Sequence, residues 1–173
     1  GVGRLGRMTV EMGKGFRMRV LGCDRVPFEI DGVERVDFDT LLRESDAISI
    51  HIHMEPENHH LFNRETFAKM KPGAILVNTS RGDIIDETAL IECLESGRLA
   101  AFGADVVSDE WRDDMRESPL VKYAMTHDNV YITPHIGGCT YRSLVDARIF
   151  AARKLVHYLK TGEELRMDRE KPA

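Results

Sequence analysis

The stretch that decides the fold is "GVGRLG" at residues 1–6, which continues as "RMTVEMGKGFRMRVLGCD" at residues 7–24. Gly1, Gly3 and Gly6 form a G-x-G-x-x-G pattern, which is typical of a dinucleotide-binding turn between a strand and a helix. The first glycine permits the tight turn, the second lets the backbone approach a pyrophosphate, and the third lets the helix pack on the sheet. The helix N-terminus then offers unpaired N–H groups to the phosphates.

A carboxylate follows the turn at the spacing that such a site uses. Asp24 comes after Gly6, at the end of "RMRVLGCD", and an acid roughly twenty residues on accepts hydrogen bonds from the adenosine ribose. It also repels a 2′-phosphate, so it favours NAD over NADP. On its own, Asp24 would be an ordinary loop acid. Arg25 leaves a strict preference between NAD and NADP open.

Short apolar runs alternate with helical stretches along the rest of the chain. Near-continuous apolar runs are typical of parallel strands that are covered on both faces. Their alternation with helices predicts an α/β fold with a doubly wound parallel sheet of the Rossmann type. The predicted strands are Arg17–Leu21, Ala47–His51, Ala74–Asn78, Leu99–Asp105 and Val130–Thr133.

Three helices are indicated by capping residues or by periodicity. Asn63 is the expected N-cap of "RETFAKM", and Asp86 is that of "ETALIECLES", with Gly97 as its C-terminal glycine. A long third helix is predicted from apolar residues at helical spacing, namely Val145, Ile149, Ala152, Val156 and Leu159.

The sequence predicts an NAD-binding domain over residues 1–160 and a charged tail, or a remnant of the return to a second domain, over residues 161–173. In a doubly wound sheet, the strand before the glycine turn lies in the middle of the sheet. No residue precedes the turn here. We therefore expect the chain to be part of a longer protein, without its first strand and substrate domain.

Composition and charge exclude several classes of function. The 24 basic and 29 acidic residues give a net charge of −5 without a basic stripe, which argues against a nucleic-acid partner. No apolar run approaches membrane-spanning length, so we expect no membrane partner. Cys23, Cys93 and Cys139 are far apart and are interpreted as reduced thiols of a cytoplasmic protein.

Three residue types suited to one reaction follow predicted strands: Arg81, Glu110 and His135. The carboxyl ends of parallel strands form the ligand crevice of an open α/β sheet, so these side chains are expected to converge there. Arg81 would clamp a substrate carboxylate, while His135 would donate a proton in reduction and accept one in oxidation. Glu110 would stabilise the imidazolium form. Each residue alone could equally be a surface or strand-end residue.

The sequence resembles the D-isomer-specific 2-hydroxyacid dehydrogenases, and the phosphoglycerate dehydrogenase branch most closely. The matching stretches are "GVGRLG", "LLRESDAISIHIH", "MKPGAILVNTSRGDIIDETAL", "GADVVSDE" and "ITPHIGG". The resemblance implies that Arg81, Glu110 and His135 are the catalytic residues. It also implies NAD as cofactor, a small 2-hydroxy or 2-keto acid as substrate, and a homodimer.

Motif and resemblance together give a set of expected cofactor contacts. Asp105 resembles the acid with which the family holds the nicotinamide carboxamide. Since the substrate domain would be absent, we expect negligible dehydrogenase activity from the chain alone. The expected contacts are Gly1, Gly3, Arg4, Leu5, Gly6, Asp24, His51, Ile52, Thr79, Ser80, Arg81, Asp105, His135, Gly137 and Gly138.

Two departures from the family pattern lie close to Glu110. Trp111 follows it where the family usually has proline, and Val107 replaces a common aromatic residue. Glu110 is therefore the catalytic residue whose position the sequence predicts least well.

A histidine-rich stretch, "HIHMEPENHH" at residues 51–60, raises the alternative of a metal site. Zinc sites need three or four converging ligands with a closed geometry. His51 and His53 would share one face of a strand, whereas His59 and His60 lie in a loop. We therefore expect no metal, and we expect the stretch to line the adenosine side of the crevice.

Two other functions use the same glycine turn. One is an NADH-sensing corepressor of the same superfamily, because "ENHHLFN" resembles a stretch in those proteins. The enzyme is favoured because "HIGGCT" keeps the dehydrogenase pattern after the histidine. The other is a methyltransferase, which has no use for an arginine, glutamate and histidine set.

Overall fold

The computed structural model describes residues 1–111 and 113–165. Most of the tail predicted over residues 161–173 therefore lies outside the described residues. The chain divides into two compact units, Gly1–Pro134 and His135–Ala173. Within the described ranges, no helix is both long enough and apolar enough to cross a membrane.

The first unit is an alternation of strands and helices, as the sequence predicts. Short 3₁₀ turns at Pro56–Asn58, Gly82–Ile84 and Met115–Glu117 interrupt the loops. In chain order the elements are α1 (Arg4–Gly15), β1 (Val20–Gly22), β2 (Val33–Arg35), α2 (Phe38–Glu44), β3 (Ala47–Ile50), α3 (Arg64–Lys69), β4 (Ala74–Asn78), α4 (Glu87–Glu95), β5 (Leu99–Ala104), α5 (Pro119–Ala124) and β6 (Val130–Ile132).

All the strand pairs are parallel. β1 pairs with β2, and β3, β4, β5 and β6 form a four-stranded sheet in that order. The β4–β5 register shifts between Ala74 and Ile75. Parallel strands with flanking helices confirm the predicted Rossmann-type α/β fold, and their carboxyl ends within each sheet lie at one edge.

The predicted capping residues begin the helices as expected. Asn63 accepts hydrogen bonds from the Glu65 and Thr66 N–H groups, and Thr66 Oγ1 accepts one from the Asn63 N–H, which completes a capping box on α3. Asp86 accepts hydrogen bonds from two N–H groups at the start of α4. Gly97 follows α4 with φ at 69°, a conformation that glycine adopts without strain.

The structure corrects several predicted strand boundaries. The strands predicted at Ala47–His51, Leu99–Asp105 and Val130–Thr133 each end one residue earlier. The sequence predicts the first strand at Arg17–Leu21, but Arg17 follows the C-cap of α1 with a φ of 59°, so β1 begins only at Val20. Three short elements, β2, α2 and α5, were not predicted. None of the three residues of β2 is buried, and their sequence contains no apolar run that would predict a strand.

One apolar core fills the first unit. Leu42, Leu76, Ile84 and Leu90 come from helices, strands and a 3₁₀ turn, and none has accessible surface. Helices α2, α3, α4 and α5 pack against one another in chain order. This core holds the strand ends, where the candidate site lies, in fixed positions.

The second unit contains α6 (Tyr141–Thr161), the predicted long helix. Thr140 caps its N-terminus by accepting a hydrogen bond from the Ser143 N–H, and Gly162 ends it with φ at 72°. All residues of this helix are described, and none of them is buried. Its predicted apolar face is therefore not part of a core in this structure.

Candidate cofactor site

The predicted site residues of the first unit follow the carboxyl ends of parallel strands. Asp24 follows β1, His51 and Ile52 follow β3, and Thr79–Arg81 follow β4. Asp105 directly follows β5. This edge of an open α/β sheet is the place where ligands bind.

The glycine turn packs too tightly for any side chain at two of its positions. A Cβ on Gly1 would lie 2.6 Å from the His51 carbonyl oxygen, and a Cβ on Gly6 would lie 2.1 Å from the Gly1 carbonyl oxygen. Both neighbours are backbone atoms, which cannot move aside as a flexible side chain does. The first and third glycines therefore bring α1 against the end of β3.

Gly3 has the opposite environment, because a Cβ there would meet no atom within 4 Å. It is the N-cap of the 12-residue helix α1, and no side chain caps it. Arg4 and Leu5 form the exposed first turn of the helix. An open helix N-terminus beside a residue without a side chain fits a pyrophosphate, because anions bind where N–H groups and the helix dipole converge.

Asp24 ties the end of β1 to the glycine turn. Its Oδ2 accepts a hydrogen bond of 2.6 Å from the Val2 N–H, and its Oδ1 accepts one of 2.8 Å from the Val26 N–H. Partial burial alone would raise the pKa of Asp24, but these hydrogen bonds and nearby positive charge lower it below 3.8. Asp24 is therefore a charged acceptor at neutral pH, as a ribose-binding acid must be.

His51, Ile52 and Ser80 lie together. His51 Nε2 is 3.0 Å from Thr9 Oγ1 on α1 and 2.9 Å from Ser49 Oγ on β3, which links the glycine-turn helix to the sheet. Burial lowers the pKa of His51, so the neutral ring is favoured. Ser80 Oγ donates a hydrogen bond to the Ile52 carbonyl oxygen.

Arg81 stands at an exposed position that a buried asparagine holds in place. Asn78 Nδ2 donates a hydrogen bond of 2.9 Å to the Arg81 carbonyl oxygen, while Asn78 Oδ1 accepts one of 3.0 Å from the Ser80 N–H. Asn78 is only 1% exposed. The Arg81 guanidinium donates a hydrogen bond to the Ser80 carbonyl oxygen. Thr79, between them, is exposed.

Asp105 is buried between the ends of two neighbouring strands. Its N–H donates to the Asn78 carbonyl oxygen at 3.0 Å, and its Oδ1 accepts a hydrogen bond of 2.5 Å from Thr133 Oγ1. A carboxylate fixed in this way at the crevice is suited to bind an amide N–H of a ligand.

Glu110 lies half-exposed in a turn after β5. The two sequence departures near it have different environments. Val107 is buried, and a Cβ on Gly82 would lie 2.1 Å from the Val107 carbonyl carbon, whereas Trp111 is 87% exposed. Close packing of Gly82 on Val107 therefore fixes the start of this loop beside Arg81.

The histidine segment belongs to the second unit. His135 is exposed and adopts a left-handed backbone conformation, with φ at 52°. Its carbonyl oxygen is 3.6 Å from Cys139 Sγ, and the Cys139 N–H donates to the Ile136 carbonyl oxygen. A Cβ on Gly138 would meet no atom within 4 Å, and Gly137 precedes it in the same turn.

The histidine-rich stretch does not form a metal-binding group. The His59 and His60 rings stack at 3.8 Å, and Asn58 Nδ2 donates a hydrogen bond to the His53 carbonyl oxygen. Over residues 1–111 and 113–165, no three or more histidine, cysteine or acidic side chains are placed to hold a metal ion.

Sequence reasoning missed three residues that support the site, Val2, Asn78 and Thr133. Each makes a hydrogen bond to, or close beside, a predicted site residue. A signal existed for two of them, because Asn78 and Thr133 are polar residues at the ends of apolar strands.

Residues 1–137 match the NAD-binding domain of the D-isomer specific 2-hydroxyacid dehydrogenases. The hydroxypyruvate reductase of Thermotoga maritima is 43% identical over 141 residues, which are 81% of this chain and 45% of the relative. The D-3-phosphoglycerate dehydrogenase of Archaeoglobus fulgidus is 38% identical over 166 residues, or 92% of this chain and 30% of the relative. The chain thus spans about half the length of the first relative and less of the second.

A solved structure gives the same result for the fold. The D-lactate dehydrogenase of Aquifex aeolicus, in complex with NAD and lactic acid, matches with a TM-score of 0.83 and 33% identity. The match covers 94% of this chain and 52% of that structure. Sequence, fold and glycine turn thus agree, and the chain belongs to the D-isomer-specific 2-hydroxyacid dehydrogenase family and contains its NAD-binding domain.

Proposed function

We propose that this chain is the cofactor-binding part of an NAD-dependent dehydrogenase that acts on the CH–OH group of a D-2-hydroxy acid, of the phosphoglycerate dehydrogenase-like branch. The observation that carries the proposal is the glycine turn, in which Gly6 packs on Gly1, Gly3 is open and Asp24 accepts a hydrogen bond from Val2. The relatives named above are a reductase and two dehydrogenases, which favours the enzyme over the corepressor.

The first unit binds and orients the cofactor. The N-terminus of α1 at Gly3 would hold the pyrophosphate, Asp24 would accept hydrogen bonds from the adenosine ribose, and Asp105 would hold the nicotinamide carboxamide. NADH bound there would supply the hydride that reduces the 2-keto carbon. Because Thr133 and the Asn78 backbone fix Asp105, that carboxylate needs little rearrangement to bind the amide.

Two residues of this chain act on the substrate, and a third acts through one of them. Arg81 binds the substrate carboxylate through its planar guanidinium, and the charge of that group polarises the keto oxygen. His135 donates the proton that converts this oxygen to a hydroxyl, and it takes the proton back in the oxidation direction. Glu110 stabilises protonated His135 by charge.

The test uses the whole enzyme with Arg81→Ala and His135→Asn. A proton-transfer residue contributes about 10²- to 10⁴-fold to rate, so His135→Asn should lose at least about 10²-fold in kcat/KM. Arg81→Ala removes the charge that polarises the keto oxygen, and a loss of about 10²-fold or more is expected there as well. NADH affinity, measured by fluorescence titration, should change far less than kcat/KM, because most of the expected cofactor contacts are retained in each variant. Asparagine is chosen at position 135 because it tolerates the left-handed backbone of His135. Full turnover in either variant would contradict the assignment.

A second assay concerns the chain alone. The chain should bind NADH and show negligible dehydrogenase activity, since it spans less than half the length of the hydroxypyruvate reductase and the phosphoglycerate dehydrogenase named above. Turnover of hydroxypyruvate, glyoxylate or pyruvate at the rate of a whole enzyme would contradict this part of the proposal.

We infer further that the whole enzyme is a cytoplasmic homodimer. Support for a covered surface comes from α1, where Met8, Met12 and the C-cap residue Phe16 recur at helical spacing and are each more than half exposed. Cys23, Cys93 and Cys139 form no disulfide, which agrees with a reducing compartment. Light scattering of the whole enzyme tests the first statement, and cell fractionation tests the second.

A further inference from the structure

An ion pair joins the two loops that flank the glycine turn. Arg25 Nη1 donates a hydrogen bond of 2.5 Å to Glu55 Oε2, and Nη2 donates one of 2.9 Å to Oε1. Both ends of the guanidinium fork are thus occupied by one carboxylate. Bidentate pairs of this kind fix the direction of the guanidinium as well as its charge.

The pair lies on the adenosine side of the candidate site. Arg25 follows Asp24, whose carboxylate contacts the Val2 N–H in the glycine turn. Glu55 belongs to the segment after β3, whose first residue, His51, has its carbonyl oxygen against Gly1. The ion pair therefore connects the segment after β1 with the segment after β3, beside the acid expected to bind the ribose.

Arg25 is the residue that could receive a 2′-phosphate here. It is the single lysine or arginine in residues 20–32, and residues 51–63 contain none. In NADP-dependent relatives of this fold, an arginine near the ribose acid accommodates the 2′-phosphate. The Arg25 guanidinium would be that group if it were not already directed at Glu55.

The charges around Arg25 oppose a second anion. Its hydrogen bonds to Glu55 hold the pKa of that carboxyl below 4.5, so Glu55 is ionised at neutral pH. Asp24 and Glu57 also act on Arg25 through their charges. One cation thus stands among three carboxylates, and an incoming phosphate dianion would meet net negative charge.

We propose that Glu55 is a cofactor-specificity residue: by binding both ends of the Arg25 guanidinium, it withholds that group from a 2′-phosphate and so selects NAD against NADP. The proposal rests on the proposed function, because it assumes that adenosine binds beside Asp24. It assigns the discrimination between NAD and NADP to Arg25 and Glu55 in addition to Asp24, the expected ribose-binding acid. It also explains how an arginine directly after Asp24 is compatible with NAD preference.

The experiment measures NAD⁺ and NADP⁺ binding to the chain by calorimetry, for the wild type and for Glu55→Gln. Glutamine keeps the size of the side chain and removes its charge. The ratio of the NADP⁺ Kd to the NAD⁺ Kd should fall at least 10-fold, with the NADP⁺ Kd itself decreasing. Because the Arg25 side chain is 74% exposed and that of Glu55 is 34% exposed, the folded state should persist, which a thermal melt checks.

Two matched variants separate the pairing from net charge. Glu57→Gln makes the same charge change in the same segment. The fold-change that it causes in the Kd ratio should be less than half of the fold-change caused by Glu55→Gln. In the double variant Arg25→Ala with Glu55→Gln, the gain in NADP⁺ binding should disappear. An equal gain in Glu57→Gln, or a gain that survives the loss of Arg25, would overturn the proposal.

The outcomes also distinguish this inference from the proposed function. If the wild type binds NAD⁺ and Glu55→Gln leaves the Kd ratio unchanged, the inference is wrong and the NAD-binding function stands. If the folded wild type binds neither nucleotide, the proposed function fails and the inference fails with it.

Discussion

Gly6 packs so closely on Gly1 that a Cβ at position 6 would lie 2.1 Å from the Gly1 carbonyl oxygen. Gly6→Ala must therefore displace the start of α1 from Gly1, because the opposing atom is backbone. We expect a loss of about 2 kcal/mol or more in the free energy of unfolding. Chemical denaturation measures it, with NAD⁺ affinity as a second readout. Wild-type stability in this variant would contradict the packing described here.

Gly3→Ala is the matched variant in the same turn, and its expected effect is the reverse. A Cβ at position 3 meets no protein atom within 4 Å, so the loss of stability should stay below about 1 kcal/mol. The new methyl group would instead stand where a pyrophosphate approaches. The NAD⁺ Kd, measured by calorimetry, should rise about 10-fold or more. Unchanged NAD⁺ affinity would place the pyrophosphate elsewhere.

Gly82, which follows Arg81, is packed as tightly as Gly6. A Cβ on Gly82 would lie 2.1 Å from the Val107 carbonyl carbon and 2.2 Å from the Ser108 nitrogen. Gly82→Ala should cost about 2 kcal/mol or more of unfolding free energy and shift the backbone beside Arg81. Gly103→Ala is the control, since its Cβ would meet only Val77 side-chain carbons at ordinary contact distances. Equal stabilities of the two variants would contradict this prediction.

Asp24 should make the fold sensitive to acid. Its folded pKa lies below 3.8, so its contribution to stability is complete above that value and is lost as the pH falls through the folded pKa. Asp24→Asn removes the charge, and so the stability difference between wild type and variant should shrink as the pH falls below about 4. Denaturant titrations between pH 7 and pH 3 measure it. A constant difference would show that the Asp24 carboxylate is not stabilised by the Val2 and Val26 N–H groups.

His51 should give a pH dependence at a higher pH. Burial lowers its folded pKa below 6.5, so the unfolded chain takes up the proton first. Stability from this residue is therefore complete above about pH 6.5 and decreases as the pH falls from there towards the folded pKa. The loss between pH 7.5 and pH 5.5 should be smaller in His51→Gln than in the wild type. An equal loss in the two proteins would show that burial of His51 does not cause this pH dependence.

The hydrogen bond from Thr133 to Asp105 is open to a direct test. Thr133→Val keeps the shape of the side chain and removes the hydroxyl donor from a buried carboxylate, which should cost about 1.5 to 3 kcal/mol. Thr133→Ser keeps the hydroxyl and should retain most of that energy. In the whole enzyme, NADH affinity should fall more in the valine variant than in the serine variant. The opposite order would exclude a role of the hydroxyl in positioning Asp105.

Elements whose signals are local could be predicted from the sequence. The strand Ala74–Asn78 has its predicted boundaries. Its four apolar residues follow Pro72 and Gly73, which mark its start, and the polar Asn78 marks its end. Asn63 and Asp86 begin their helices because each side chain reaches N–H groups only two and three residues away. Such contacts depend on neighbouring residues alone, and so a sequence pattern suffices.

What the sequence could not predict depends on contacts between distant residues. β2 is a strand because Val33, Glu34 and Arg35 pair with β1, and nothing in those three residues themselves indicates it. In the site, the spacing after Gly6 identifies Asp24 as a candidate. Its hydrogen bond to Val2 could not be predicted, because Val2 precedes α1 whereas Asp24 follows β1. The spacing of apolar residues in α6 predicted a helix correctly, but spacing alone does not tell what covers its face. Whether Arg81, Glu110 and His135 meet at one substrate stays a prediction.

The backbone of His135, with its φ of 52°, limits which amino acids this position accepts. Residues branched at the β carbon are strained there, whereas glycine and asparagine are tolerated. A protein that descends from this chain and gives up proton transfer should therefore replace the imidazole by asparagine or glycine, and rarely by valine or isoleucine. The loss of proton transfer would then be visible in the sequence as a substitution that keeps the left-handed backbone conformation at position 135.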